Sequence, residues 1–267
     1  MIKVLKFFNL AFFILMICVN ALANIMPLGH GNTGSISKKY ENLFTPAPIT
    51  FSIWGLIYLL VFVFILYQLG VFGNHMLAEC LVSLAGPWFI ISCIFNIGWL
   101  ISWHYEKIEL SMLMMVLLLI TLIILVSRLS FRNVLHASGL PKVDILAKLS
   151  IYAFELYIGW ITAATIANAS VLLVKRNWNK FGLSSQFWTV VVILVGALLG
   201  VLFIITKLRY MSAAAIIWAY CGILIKHISQ SGYAGKYPSI IVASIISIVV
   251  ILAAGTIMLI LSTGEPA

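Results

Sequence analysis

The chain has 267 residues, of which 63% are apolar and only 9% charged. A soluble domain is roughly half apolar and about a quarter charged. This composition therefore excludes a disordered chain, a secreted disulfide scaffold and an ordinary soluble enzyme, and calls for lipid as the solvent. The net charge of +9 comes from 16 Lys and Arg against 7 Asp and Glu. The cations lie between apolar runs, where they read as headgroup contacts rather than a nucleic-acid surface.

Run length, charges and Pro/Gly breaks predict spans at 7–27, 51–69, 83–104, 109–127, 145–174, 187–206, 211–226 and 239–261. The fold class is thus all-α, a polytopic membrane helix bundle of about eight spans. Lys3 and Lys6 precede the first apolar run, and Ala21-Leu22-Ala23 resembles a signal-peptidase site. Apolar character nevertheless continues to Leu28, which favours a retained helix. The longest connections are Gly29–Thr50, Ser127–Asp144 and Lys175–Gln186. The fifth predicted span is long enough to tilt or protrude, and the seventh is short. Eight Lys or Arg residues fall on each side of such a bundle, so charge bias leaves the orientation open.

Cys18, Cys80, Cys93 and Cys221 form no C-x-x-C pair, and the five histidines are scattered, so no metal site is read. No phosphate-binding loop, zinc-protease or nucleophile-elbow motif occurs, and no catalytic residues are assigned. Tryptophan and asparagine carry the information instead. Trp88, Trp103, Trp178 and Trp188 read as interfacial anchors. Asn96, Trp99 and Trp103 share one helix face by spacing, and so do Trp160, Ala164, Ala167 and Asn168. An amide inside a bilayer needs a partner. Spacing alone leaves two readings open: helix–helix bonding with packing at Ala163-Ala164, or a pocket walled by indoles with amides to orient a flat ligand. Glu155 is the one acid well inside a predicted span. It projects about 140° from the Trp160 stripe, towards another neighbour such as the last three helices, or sits near headgroups paired with Lys148.

Three blocks resemble the TspO/MBR family, the translocator or tryptophan-rich sensory proteins. They are Tyr40-Glu41-Asn42-Leu43 with Thr45-Pro46-Ala47-Pro48 and Trp54-x-x-x-Tyr58; Phe95-Asn96-x-x-Trp99; and Tyr157-x-x-Trp160-x-Thr162-Ala163-Ala164-x-x-x-Asn168. The resemblance covers roughly residues 7–175. It implies a five-helix bundle at 1–175, with a three-helix extension at 176–267. Pro48 and Phe51 stand where the family has an aromatic residue and a proline, and Leu156 replaces its usual fifth-helix proline. The family's association with porphyrins implies a receptor or binding protein for a flat apolar ligand, porphyrin being the candidate, with no cofactor required. Carried over, the pocket residues are Trp54, Asn96, Trp99, Trp160, Ala164 and Asn168, beneath a lid formed by Tyr40, Pro46 and Pro48. A small proton-linked transporter using Glu155 is the alternative, and a tetrapyrrole-modifying enzyme ranks below it. The family's sterol motif has no counterpart in Val171–Arg176, which lacks tyrosine; Leu100, Tyr105 and Lys107 match only its loosest form. The expected partners are membrane lipids and a small hydrophobic ligand, with a homodimer left open and no nucleic acid. The expected location is a membrane crossed several times, the cell membrane if the source is bacterial.

Overall fold

The computed structural model describes residues 2–26, 33–207 and 209–263. The predicted end of the first span at residue 27, its apolar tail to Leu28, and His30 lie outside these. Among the described residues the chain is helical throughout: α1 (Ile2–Ile25), α2 (Thr33–Lys39), α3 (Ile53–Gln68), α4 (His75–Ala85), α5 (Trp88–His104), α6 (Ile108–Arg128), α7 (Phe131–Ser138), α8 (Ile145–Lys175), α9 (Ser185–Lys207), α10 (Tyr210–Ile228) and α11 (Pro238–Thr263). Short 3-10 turns cover Pro48–Ser52 and Lys180–Gly182. Among the described residues seven stretches are long and apolar enough to cross a membrane, or eight if the bent pair α4–α5 counts as one span.

That pair corrects the third predicted span. The apolar run from residue 83 is interrupted at Gly86, whose φ is +52°, and at Pro87. A glycine at positive φ followed by a residue without an N–H cannot continue a helix. The two segments meet at 58°. Asn74 starts α4 by accepting from the Met76 and Leu77 amides.

The 31-residue α8 is the axis of the molecule. At 1.5 Å per residue it is about 46 Å long, well beyond a bilayer core of about 30 Å. It packs against α3, α6 and α10, and α5 lies between α1 and α6. Residues 153–163 are buried without interruption, so the helix shows no amphipathic face: it has neighbours on every side. α10 bridges the two segments drawn at 1–175 and 176–267. Ala215 and Ala219 belong to the same core as Ile57, Phe154 and Trp160, while α9, α10 and α11 build a second core around Ile216 and Ile251.

Small residues set the α8–α10 distance, as expected where lipid removes any hydrophobic drive between helices. A Cβ on Gly159 would overlap the backbone carbonyl of Ser212. Ser212 Oγ donates to the Glu155 carbonyl at 2.8 Å. Glu155 itself is 5% exposed and Arg209 8%. The Glu155 carboxyl faces the Met211 backbone and lies in the field of the Arg209 guanidinium. The Lys148 pairing is thus overturned; Lys148 is exposed, and the start of α10 supplies the neighbour.

Asp144 caps α8. Its carboxylate accepts from the Ala147 amide at 2.8 Å, the Tyr67 hydroxyl at 2.7 Å and the Asn74 amide at 3.2 Å. Burial pushes its pKa up, but these hydrogen bonds outweigh burial and hold it below the ordinary carboxylate value.

Two outcomes follow for thermal unfolding in detergent. Gly159→Ala forces backbone against backbone and should lose about 1–3 kcal/mol, whereas Gly55→Ala, with nothing within 4 Å of its Cβ, should be neutral or gain up to about 1 kcal/mol. Asp144→Ala should cost about 1–2 kcal/mol at neutral pH. The native state favours the charged form, so the carboxylate's contribution is complete above pH ~4 and fades as the pH falls through the lowered native pKa. The gap between Asp144→Ala and wild type should therefore narrow from pH 7 towards pH 3.

Candidate ligand pocket beneath the first loop

Trp54, at the start of α3, is the hub of an aromatic box. Its ring stacks on Trp99 of α5 at 5.9 Å between centroids and on Tyr58 at 5.3 Å. It meets Trp160 of α8 edge-on at 6.3 Å and Tyr157 at 5.7 Å. Phe51 closes on Trp160 at 5.8 Å. These offset and edge-on arrangements are the favoured ones for aromatic quadrupoles.

The box divides a two-part pocket. An outer cavity of about 760 Å³ lies between the first loop and the bundle, lined by Asn20, Tyr58, Trp54, Trp99, Phe51 and Pro46 and by the polar side chains Lys38, Glu41, Lys226 and Tyr233. An inner slot of about 50 Å³ continues from it, lined by Trp103, Trp160, the alanines 163, 164 and 167, Asn168, and Ala219 and Ile223 of α10. Thr45, Pro46, Phe51, Trp54 and Trp99 border both.

Most of the residues singled out in the sequence meet here, but their positions differ. Trp54 and Trp99 face both parts; Trp160, Ala164 and Asn168 line the inner slot alone; Pro46 borders both, and Pro48 the outer cavity. Asn96 lines neither. It is fully buried and joins helices: Asn20 Nδ2 donates to Asn96 Oδ1 at 2.9 Å, Asn96 Nδ2 donates to the Tyr157 hydroxyl at 2.9 Å, and the Tyr58 hydroxyl donates to Asn20 Oδ1 at 2.8 Å. Tyr40 also stays outside the pocket and donates to Glu106 Oε2 at 3.1 Å. Glu155 lines neither part. Trp103, expected at the interface, is 5% exposed and forms part of the slot. Its i+4 spacing from Trp99 was the signal for this. Ala219 and Ile223 gave no such signal, because alanine and isoleucine are ordinary in any span; Tyr58 stood in the first motif block but was not assigned to the pocket. Trp178 and Trp188 cluster at 5.0 Å with Phe181, at the turn between α8 and α9.

Several polar atoms in the slot walls are buried. Trp99 Nε1, Trp160 Nε1 and Asn168 Oδ1 have no hydrogen-bond partner among the described residues. Asn168 Nδ2 is occupied, donating to Ser111 Oγ at 3.1 Å. An unpaired buried polar group costs about 1–3 kcal/mol, so three around one slot mark a place suited to a group that hydrogen-bonds.

The first loop roofs the cavity. Asn42 Oδ1 accepts from the Phe44 and Thr45 amides and shapes the turn. The Ala47 amide then donates to the Gly222 carbonyl at 3.0 Å, and Trp218 Nε1 to the Thr50 carbonyl at 2.8 Å.

A family model described as TSPO-like protein matches residues 6–258. The chain belongs to the TSPO-like family. The match runs through all the spans, past the region 7–175 in which the motifs were read. No curated protein and no solved structure matches the chain significantly. It is an integral membrane protein of this family, a polytopic helical bundle.

Because Asn96 bonds across the bundle, Asn96→Ala should act on stability. It leaves Asn20 Nδ2 and the Tyr157 hydroxyl short of a partner and should cost about 1–3 kcal/mol, read as a lowered melting temperature in detergent.

Proposed function

We propose that this TSPO-like protein is a membrane receptor or binding protein for a flat apolar ligand, a porphyrin-type macrocycle being the leading candidate. The observation that carries this reading is the indole floor. Trp54 and Trp99 stack on each other at 5.9 Å and border both the outer cavity and the inner slot. A cavity of about 760 Å³ falls in the range of roughly 300–1,000 Å³ typical of small-molecule sites. A macrocycle would lie against Trp54 and Trp99 beneath the first loop, with an edge or substituent entering the alanine-lined slot. There the Trp99 and Trp160 N–H groups favour a ligand with acceptor atoms, and Asn168 Oδ1 one with a donor. A proton-linked transport reading gains nothing from Glu155, which lies outside both parts of the pocket.

Protoporphyrin should quench intrinsic tryptophan fluorescence saturably, with roughly micromolar affinity. Removing one stacking wall should cost about 1–2 kcal/mol, a five- to thirtyfold weakening at about 1.4 kcal/mol per decade. Trp99→Ala and Trp160→Ala should both show it in titrations followed by porphyrin absorbance. Trp188→Ala, in the aromatic cluster outside the pocket, should leave affinity unchanged. Equal weakening by Trp160→Ala and Trp188→Ala would mean partitioning into detergent or lipid, and the pocket assignment would fall.

A further inference from the structure

The roof of the pocket is tied down on two sides, and the ties differ in kind. On the α5 side, Lys39 pairs with Glu106 and the Tyr40 hydroxyl donates to the same carboxylate. Lys39 is largely exposed, and exposed ion pairs hold little. On the opposite side every tie runs to α10 or to the turn 229–237 that follows it. The Ala47 amide donates to Gly222 O at 3.0 Å, Trp218 Nε1 to Thr50 O at 2.8 Å, and the Tyr233 hydroxyl to Glu41 Oε1 at 3.0 Å. His227 Nε2 lies 2.9 Å from Leu43 O. A carbonyl oxygen only accepts, so Nε2 carries the hydrogen.

The fit is close as well as bonded. Gly222 and Thr50 are both buried, and any side chain on Gly222 would overlap Thr50. The helix therefore presents bare backbone where the loop docks. The outer cavity reaches this same seam: its lining takes Lys38 and Glu41 from the loop side, and Lys226 and Tyr233 from the α10 side. Behind the seam, Ala219 and Ile223 continue α10 as a wall of the inner slot.

We propose that α10 and the turn after it are the gate of the pocket: the first loop is a roof latched to α10 by Trp218, Gly222 and His227, and a ligand enters and leaves when that seam parts. The inference rests on the ligand-binding reading for what passes through, but the latch itself is a property of the ligand-free protein. Entry through a gate has a kinetic signature. If only a minor open state admits ligand, raising its population speeds association and dissociation by similar factors and leaves the equilibrium nearly unchanged. A residue that grips the ligand slows dissociation alone.

Trp218→Phe and His227→Phe each remove one latching N–H while keeping a ring in place, and neither residue lines the pocket. In lipid nanodiscs without ligand, hydrogen exchange of a peptide covering residues 41–50 should accelerate about fivefold in each variant and more in the double variant. Exchange in α8 should stay at its wild-type rate. With protoporphyrin as probe, stopped-flow association and dissociation rates should rise together by about fivefold, with Kd held within twofold. Wild-type exchange across residues 41–50 in both variants would overturn the latch. Faster dissociation with unchanged association would overturn the gate, because these residues would then be gripping the ligand. If His227→Phe does not fold, Trp218→Phe decides. If protoporphyrin shows no saturable binding to the wild-type protein, the ligand reading fails, and the exchange experiment still decides the latch.

Discussion

Inside a lipid-embedded bundle a polar group has no water to fall back on, and this constraint organises the molecule. Asn20, Tyr58, Asn96 and Tyr157 come from α1, α3, α5 and α8 and answer one another at 2.8–2.9 Å. Four helices that lipid alone would leave indifferent to their neighbours are thereby given a register. Asn9 repeats the device nearer the start of α1, donating to Gln68 Oε1 at 2.8 Å, while Gln68 Nε2 reaches the Lys6 carbonyl at 3.2 Å. The pocket can be left with unpaired indole and amide groups because the network beneath it fixes the helices that carry them.

Close backbone approach works beside these bonds. α8 and α10 touch through Gly159 and Ser212, and α10 and the first loop through Gly222 and Thr50. Both contacts depend on a missing side chain, and both lie on α10. That helix carries few charges and no long aromatic stripe, yet it holds α8, walls the slot and anchors the roof.

The spans were legible in the sequence because run length alone decides them in so apolar a chain. The bent third span was legible in principle from Gly86-Pro87, but apolar continuity on both sides hid the break. Trp54, Trp99 and Trp160 could be placed in one pocket because helix spacing gathers them on stripes that face inward. Asn96 sits on the same stripe as Trp99 and was read with it. A stripe fixes direction, however, and not depth, and Asn96 lies one layer too deep to reach the cavity. The share of α10 was illegible for a different reason. Ala219, Gly222 and Ile223 contribute by being small or plainly apolar, and such residues leave no periodic mark where every face is apolar. Glu155 was read correctly as facing away from the tryptophans, but its neighbours, Met211 and Arg209, come from a helix that local sequence could not bring to it.

The roof and its anchor also lie far apart in the order of synthesis. Ala47 emerges early, whereas Gly222 and His227 emerge only after six spans have been made. A chain inserted up to the end of α8 already holds the indole floor, but nothing against which the first loop can dock. Contacts so distant along the chain form late, since closing a long loop comes before any reward from the contact. The pocket is thus roofed only once α10 has been made. A chain interrupted before α10 would carry its aromatic floor without a docked roof, and quality control in the membrane would have that exposed floor by which to tell an unfinished molecule from a finished one.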